Sequence, residues 1–220
     1  MRQSKSNTVV VLAFDPGIYH CGWSVSKVDR DTYHATVTNY GTIEAASAAK
    51  KANKKDYQDY GNIISFFLLE QEVKELVETY RPDYVVSEGA FMARFVNAFV
   101  SLKLCINAIQ RVLYSEFRMT LYQIAPKEAK KAVNIGTADK EAVQTSIAKL
   151  PDLTIKETKQ KPLIKMCEHE ADSIAISYAF VKNVLPGLLL VQSNDQILKN
   201  KWVCTVEPHP VKDVVLPTLI

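Results

Sequence analysis

The sequence predicts an α/β fold in three layers, a mixed five-stranded sheet flanked by helices, and three observations carry that prediction. Thr8-Val9-Val10-Val11-Leu12-Ala13-Phe14 is continuously β-branched and apolar, the pattern of a central strand buried on both faces. Two period-two segments follow at once, around residues 21–28 and 32–43. Their connections are too short for a crossover, so the first three strands run antiparallel. Two later strand-like runs, residues 84–88 and 120–124, each follow a helical stretch, and a crossover of that kind sets its strand parallel to a neighbour.

In order along the chain, the first strand ends in Asp15-Pro16-Gly17, and Asp29-Arg30-Asp31 supplies a hairpin turn of short polar side chains. Residues 44–60 are Ala- and Lys-rich and only loosely periodic. Ile63, Phe66, Phe67, Val73, Leu76, Val77 and Tyr80 then mark one helix face, with Glu70 the polar exception on it. Arg81-Pro82-Asp83 stops that helix before the fourth strand. A long helix is expected over residues 92–114, with Phe95, Phe99, Leu102, Ile106, Ile109 and Leu113 at three-four spacing. After the fifth strand, Ala125-Pro126-Lys127 opens a basic turn, and Thr137 begins a helix with Asp139 and Glu141 in its first turn. Residues 151–162 read as a lysine-bearing loop, and 165–183 as a last helix stopped by Pro186-Gly187. With no internal repeat and no clear linker, one domain is expected over residues 1–187. An extension, an arm or added strands, follows at 188–220.

Composition excludes several classes. At 47% hydrophobic and 23% charged over 220 residues, the chain can bury a core and is neither disordered nor fibrous. Cys21, Cys105, Cys167 and Cys204 are far apart and form no Cys-x-x-Cys, which argues against a zinc ribbon or disulfide scaffold and suits a reducing compartment. A signal peptide and an apolar run of membrane-spanning length are not expected. The net charge of +3 permits a polyanionic partner without requiring one. No Gly-rich phosphate loop supports an ATPase-like reading of the early Asp15-Pro16-Gly17.

The carboxylates are the chemistry-bearing residues. Asp15 and Glu88 each end a strand; if those strands are neighbours, both carboxylates lie at the same edge, where α/β sites are commonly built. Asp172 interrupts an otherwise apolar helical surface, and His169 lies three residues earlier on nearly the same face. Burying such acids together is costly through desolvation and repulsion, and a hard divalent cation removes that cost. Each also has a plainer reading: Asp15 as a turn acid, Glu88 as a partner of Arg94, Asp172 and His169 as solvated helix residues.

Three blocks in order add to this. They are Leu12-Ala13-Phe14-Asp15-Pro16-Gly17 with Gly22-Trp23-Ser24-Val25, then Val85-Val86-Ser87-Glu88-Gly89-Ala90-Phe91-Met92-Ala93-Arg94. The third runs from Ala125-Pro126 through Val133-Asn134-Ile135-Gly136-Thr137-Ala138-Asp139-Lys140 and is completed by His169-Glu170-Ala171-Asp172. The chain thereby resembles RuvC-type Holliday junction resolvases, within the RNase H-like nucleases, over about residues 9–181.

The resemblance implies a crossover junction endodeoxyribonuclease whose catalytic and metal-binding set is Asp15, Glu88, His169 and Asp172. His169 stands where many members have aspartate. It implies two magnesium ions per site, with manganese as an alternative, and branched DNA contacted by Phe91, Arg94, Lys127, Lys130, Lys131 and Lys140. It further implies a homodimer, no membrane partner, and a cytoplasmic or other reducing, DNA-containing location. A broader branched-DNA or flap nuclease of the same fold and a catalytically inactive junction binder are the alternatives. Extra residues after Arg94 and the tail past Pro186 depart from the compact family pattern.

Overall fold

The computed structural model describes residues 7–52, 54–90, 96–134, 140–156 and 166–192. Among the described residues three strands come first and three more follow between helices: β1 (Thr8–Asp15), β2 (Cys21–Asp29), β3 (Ala35–Ile43), α1 (Ala45–Ala52), α2 (Lys54–Tyr60), α3 (Asn62–Tyr80), β4 (Tyr84–Glu88), α4 (Val96–Phe117), β5 (Leu121–Ile124), α5 (Pro126–Ala132), α6 (Lys140–Ile147), β6 (Leu153–Ile155) and α7 (Glu168–Asn183). The chain divides at Leu185/Pro186 into two units. The last sheet-packed helix, α7, ends at Asn183 as expected, but Pro186 lies near the start of a further helical segment, Leu185–Gln192. Proline is tolerated in a first helical turn because its missing N–H has no partner there.

The strands form one mixed sheet in the order β5-β4-β1-β2-β3-β6. As expected, β1, β2 and β3 are antiparallel neighbours and the two later strands run parallel to theirs; those neighbours are β1 for β4 and β4 for β5. The expected five strands are six. β6 falls in the stretch read as a loop and pairs parallel with Ala35–Val37 of β3. At three residues it is too short to show alternation, and it forms only because β3 offers an edge. Likewise the basic turn at Ala125 is the helix α5, which has Pro126 at its first position and Glu128 in its first turn.

Alternation divides the sheet into two faces. Leu12, Phe14, Cys21, Val25 and Val85 pack with Leu69, Val73 and Val77 of α3 and Ile106, Ile109 and Leu113 of α4 in one core. The opposite face carries α7, with α5 and α6 against it. There Phe180 of α7 meets Tyr84 of β4 and Tyr122 of β5 at centroid distances of 5.7 and 5.3 Å. Ser26 of β2 and Ser177 of α7 are hydrogen-bonded at 3.0 Å within the interior. Glu70, the polar exception on α3, is explained by its ion pair with Arg111 of α4. Contrary to the expectation from sequence, α4 is long and apolar enough to cross a membrane by length and composition. Its buried residues nevertheless lie on one side, and Lys103 and Arg111 are exposed, the pattern of an amphipathic core helix.

Candidate active site

Register brings Asp15 and Glu88 together. The parallel ladder sets Phe14 opposite Ser87, so the next residues, Asp15 and Glu88, end neighbouring strands side by side. Tyr84 faces α7, and alternation along β4 turns Glu88 to the same side. Asp15 on β1 faces α7 as well, where its Oδ2 meets Nδ1 of His169 at 2.7 Å. Asp172, one turn further along α7, completes the group.

A capping box fixes where α7 begins. The Cys167 N–H donates to Oε2 of Glu170 at 2.9 Å, and the Glu170 backbone N–H bonds back to the Cys167 side chain. Glu170 is fully buried and also accepts from Oγ1 of Thr42 at 3.3 Å. Its role is thus to cap the helix and tie it to β3. Cys167 in place of the usual Ser or Thr obscures the motif, although Glu170 at the third position was its visible half. Gly22 stands opposite Asp15 in the β1–β2 ladder. A Cβ there would lie 2.0 Å from the His169 carbonyl oxygen, so glycine alone lets α7 start this close to the strand.

Electrostatics follow from the crowding. Burial pushes the Glu88 carboxyl up to about 7; the charges of Asp15 and Asp172 add to the rise, and Lys130 opposes it. Burial raises Asp172 to about 6, reinforced by Asp15 and Glu168 and opposed by Lys130 and His169. The hydrogen bond to Asp15 raises the pKa of His169 against the effect of burial, favouring imidazolium.

The expected site residues separate into groups. Asp15, Glu88, His169 and Asp172 are brought together. Lys130 joins them: it lines one cavity of about 210 Å³ with Glu88 and Asp172, nearer the carboxylates than a general DNA contact need be. Its neighbour Lys131 lines a different cleft, with Tyr178 and Lys182, and Lys127 is exposed on α5. Phe91, Arg94 and the side chain of Lys140 lie outside the described residues. Sequence reasoning did not single out His20, whose ring stacks on His169 at 5.5 Å and whose Nδ1 approaches Glu44 at 3.9 Å.

Among the described residues, no three His, Cys, Asp or Glu side chains are gathered tightly enough to ligate one ion. The chemistry of the donor set nonetheless fits a hard divalent cation. Carboxylate oxygens predominate, and the charge of Asp15 raises the proton affinity of both Glu88 and Asp172, an effect that a nearby positive charge would reverse.

An antiparallel three-stranded half, a parallel extension and a carboxylate cluster on the strand ends define an RNase H-like α/β domain. The family model described as crossover junction endodeoxyribonuclease RuvC matches residues 11–180. The chain belongs to the RuvC family of Holliday junction resolvases. RuvC of Protochlamydia amoebophila is 26% identical over 173 residues, 78% of this chain and 90% of that protein. In fold, the chain is similar to T. thermophilus RuvC, solved in complex with a Holliday junction substrate, with a TM-score of 0.62. That match has 22% identity and covers 81% of this chain and 96% of the other. The yeast mitochondrial Holliday junction resolvase Ydc2 matches with a TM-score of 0.58 and 16% identity, over 86% of this chain and 83% of its own.

Proposed function

We propose that the chain is a divalent-metal-dependent endonuclease that resolves four-way DNA junctions by paired phosphodiester hydrolysis, in DNA recombination or repair. The observation that carries this reading is the pairing of Asp15 and Glu88 on adjacent parallel strands, with Asp172 and His169 delivered above them by α7. Asp15, Glu88, Asp172 and His169 would hold two magnesium ions, or manganese. Ions so bound would activate the attacking water and stabilise the departing oxygen. His169, bonded to Asp15 and stacked on His20, orients that carboxylate. Lys130 faces the position a phosphate would take beside Glu88 and Asp172. Lys127 and Lys131, with Arg94 and Lys140, contact backbone phosphates and make affinity salt-dependent, and Phe91 stacks against a base at the crossover. The products are a 3′-hydroxyl and a 5′-phosphate.

A homodimer accords with this reading, because a four-way junction has near two-fold symmetry and needs two equivalent sites. The apolar residues exposed on α4 and α3, Val96, Val100, Leu104, Ile63 and Phe67, supply a surface for a second copy. The proposed domain is residues 1–187, with 188–220 as an extension, acting in a reducing, DNA-containing compartment.

Incision mapped on all four strands of a synthetic junction tests the reading. The wild type with magnesium should make symmetric paired cuts, whereas Asp15→Asn should lose at least about a thousandfold in rate, the scale expected when a site's charge stabilisation is removed. It should still bind the junction. Near-normal turnover by Asp15→Asn would remove the proposed site, and equal cutting of flaps and forks would point instead to a broader branched-DNA nuclease. Binding without cleavage by the wild type would make it a junction-binding protein.

A further inference from the structure

Beside the carboxylates lies a basic and aromatic patch with no part in the chemistry described above. It consists of α1 and the loop between β1 and β2. The Ala46 N–H donates to the carbonyl of Ile18 at 3.2 Å, and Ala45, Ala46 and Ala49 are buried beneath the helix. An alanine face so fixed leaves Lys50 and Lys51 exposed on α1. The Lys50 ammonium lies over the ring of Tyr19, 6.0 Å from its centroid, and over that of Tyr57 at 5.1 Å. Tyr19 remains 55% exposed, and Lys54 at the start of α2 is exposed as well. Together α1 and α2 carry four lysines against Asp56 and Asp59, a local excess in a chain whose whole charge is only +3.

The position of this patch gives it meaning. His20 directly follows Tyr19 and stacks on His169, whose Nδ1 contacts Asp15. The β1–β2 loop therefore leaves the carboxylate cluster at Asp15, is bonded to the lysine-bearing helix at Ile18, presents the exposed Tyr19 ring and returns to the edge of the cluster at His20. Exposed rings interleaved with lysines are the elements that bind unpaired nucleic acid: the ring stacks on a base and the ammonium groups neutralise adjacent phosphates. Lys50 holds the Tyr19 ring by cation–π attraction, so less freedom is lost when a base stacks on it.

We propose that Tyr19, with Lys50, Lys51 and Lys54, is a docking ledge for the DNA strand entering the site, Tyr19 stacking on a base exposed at the crossover, a feature that a continuous duplex lacks. This rests on the DNA-cleaving reading above. The test is fluorescence anisotropy of the full chain with a labelled four-way junction and with a fully paired linear duplex, in EDTA to prevent cleavage and across a salt series. Tyr19→Leu should weaken junction binding about tenfold while leaving duplex binding unchanged, and Tyr19→Phe should bind like the wild type. Replacing Lys50, Lys51 and Lys54 by Gln should weaken both substrates and lower the slope of log affinity against log salt by about three. Junction affinity within twofold of wild type for either Tyr19→Leu or the triple variant overturns the ledge. Failure of the wild type to bind the junction overturns both the ledge and the reading it rests on.

Discussion

Burial withholds water from the charged form of Glu88, and Asp15 and Asp172 repel that charge, so its carboxyl is pushed up to about 7. This has a consequence for stability. A carboxyl whose proton is held more tightly in the folded than in the unfolded chain favours the fold below its ordinary value near 4.5. It loses that contribution as pH rises through about 7. Asp172, raised to about 6, acts in the same direction. The metal-free protein should therefore melt lower at pH 8 than at pH 5, by roughly 5 °C from Glu88. Glu88→Gln should flatten that dependence, and magnesium at pH 8 should raise the melting temperature of the wild type more than that of the variant. Calorimetry in EDTA and in magnesium checks this. Parallel pH profiles for the two proteins would mean that folding does not raise the proton affinity of Glu88.

At the scale of elements, the close approach of α7 to the sheet makes the site. Gly22, Ser24 and Ser26 alternate along β2 with Trp23 and Val25, and Gly22 and Ser26 meet His169 and Ser177 of α7. Small side chains on that face let the helix lie low enough for His169 to reach Asp15. A methyl group at Gly22 would lie 2.0 and 2.4 Å from the carbonyl oxygen and carbon of His169. These are backbone atoms, so the first turn of α7 must move. Gly22→Ala should cost about 3 kcal/mol in urea unfolding and slow cleavage disproportionately to its loss of junction binding. Wild-type stability and rate in this variant would show that α7 does not pass so close to β2.

For the whole molecule, the exposed apolar side chains of α3 and α4 point to assembly. Val96, Val100 and Leu104 recur every fourth residue of α4, one helical face that the chain's own core leaves uncovered. The ion pairs Glu70–Arg111 and Lys74–Glu116 align α3 with α4 in parallel, which places Ile63 and Phe67 alongside that face. Light scattering at about 1 μM should give twice the mass of one chain. Val100→Glu with Leu104→Glu should give the monomer mass with an unchanged circular dichroism spectrum. The double variant should still bind a junction, more weakly, and lose paired incision. A wild-type monomer, both alone and on saturating junction, would exclude the dimer.

The antiparallel run of β1, β2 and β3 and the parallel setting of β4 and β5 were legible in the sequence, because period-two alternation, the β-branched run at Val9–Val11 and the lengths of the connections are local properties that constrain strand direction. Asp15 and Glu88 were legible as strand-ending carboxylates, but that they meet followed only once β4 was found to pair with β1. Local pattern could not reveal what depends on a distant partner. β6 exists because β3 has an edge to share; Gly22 matters because a helix some 150 residues later crosses it. Glu170 is buried because Thr42 and the Cys167 N–H receive it. Lys130, rather than Lys127 or Lys131, meets the carboxylates because α5 packs on α7 in one rotation. Side-chain periodicity determines which face an element buries, whereas the neighbour that covers that face, and the contacts it brings, are decided only when the layers close.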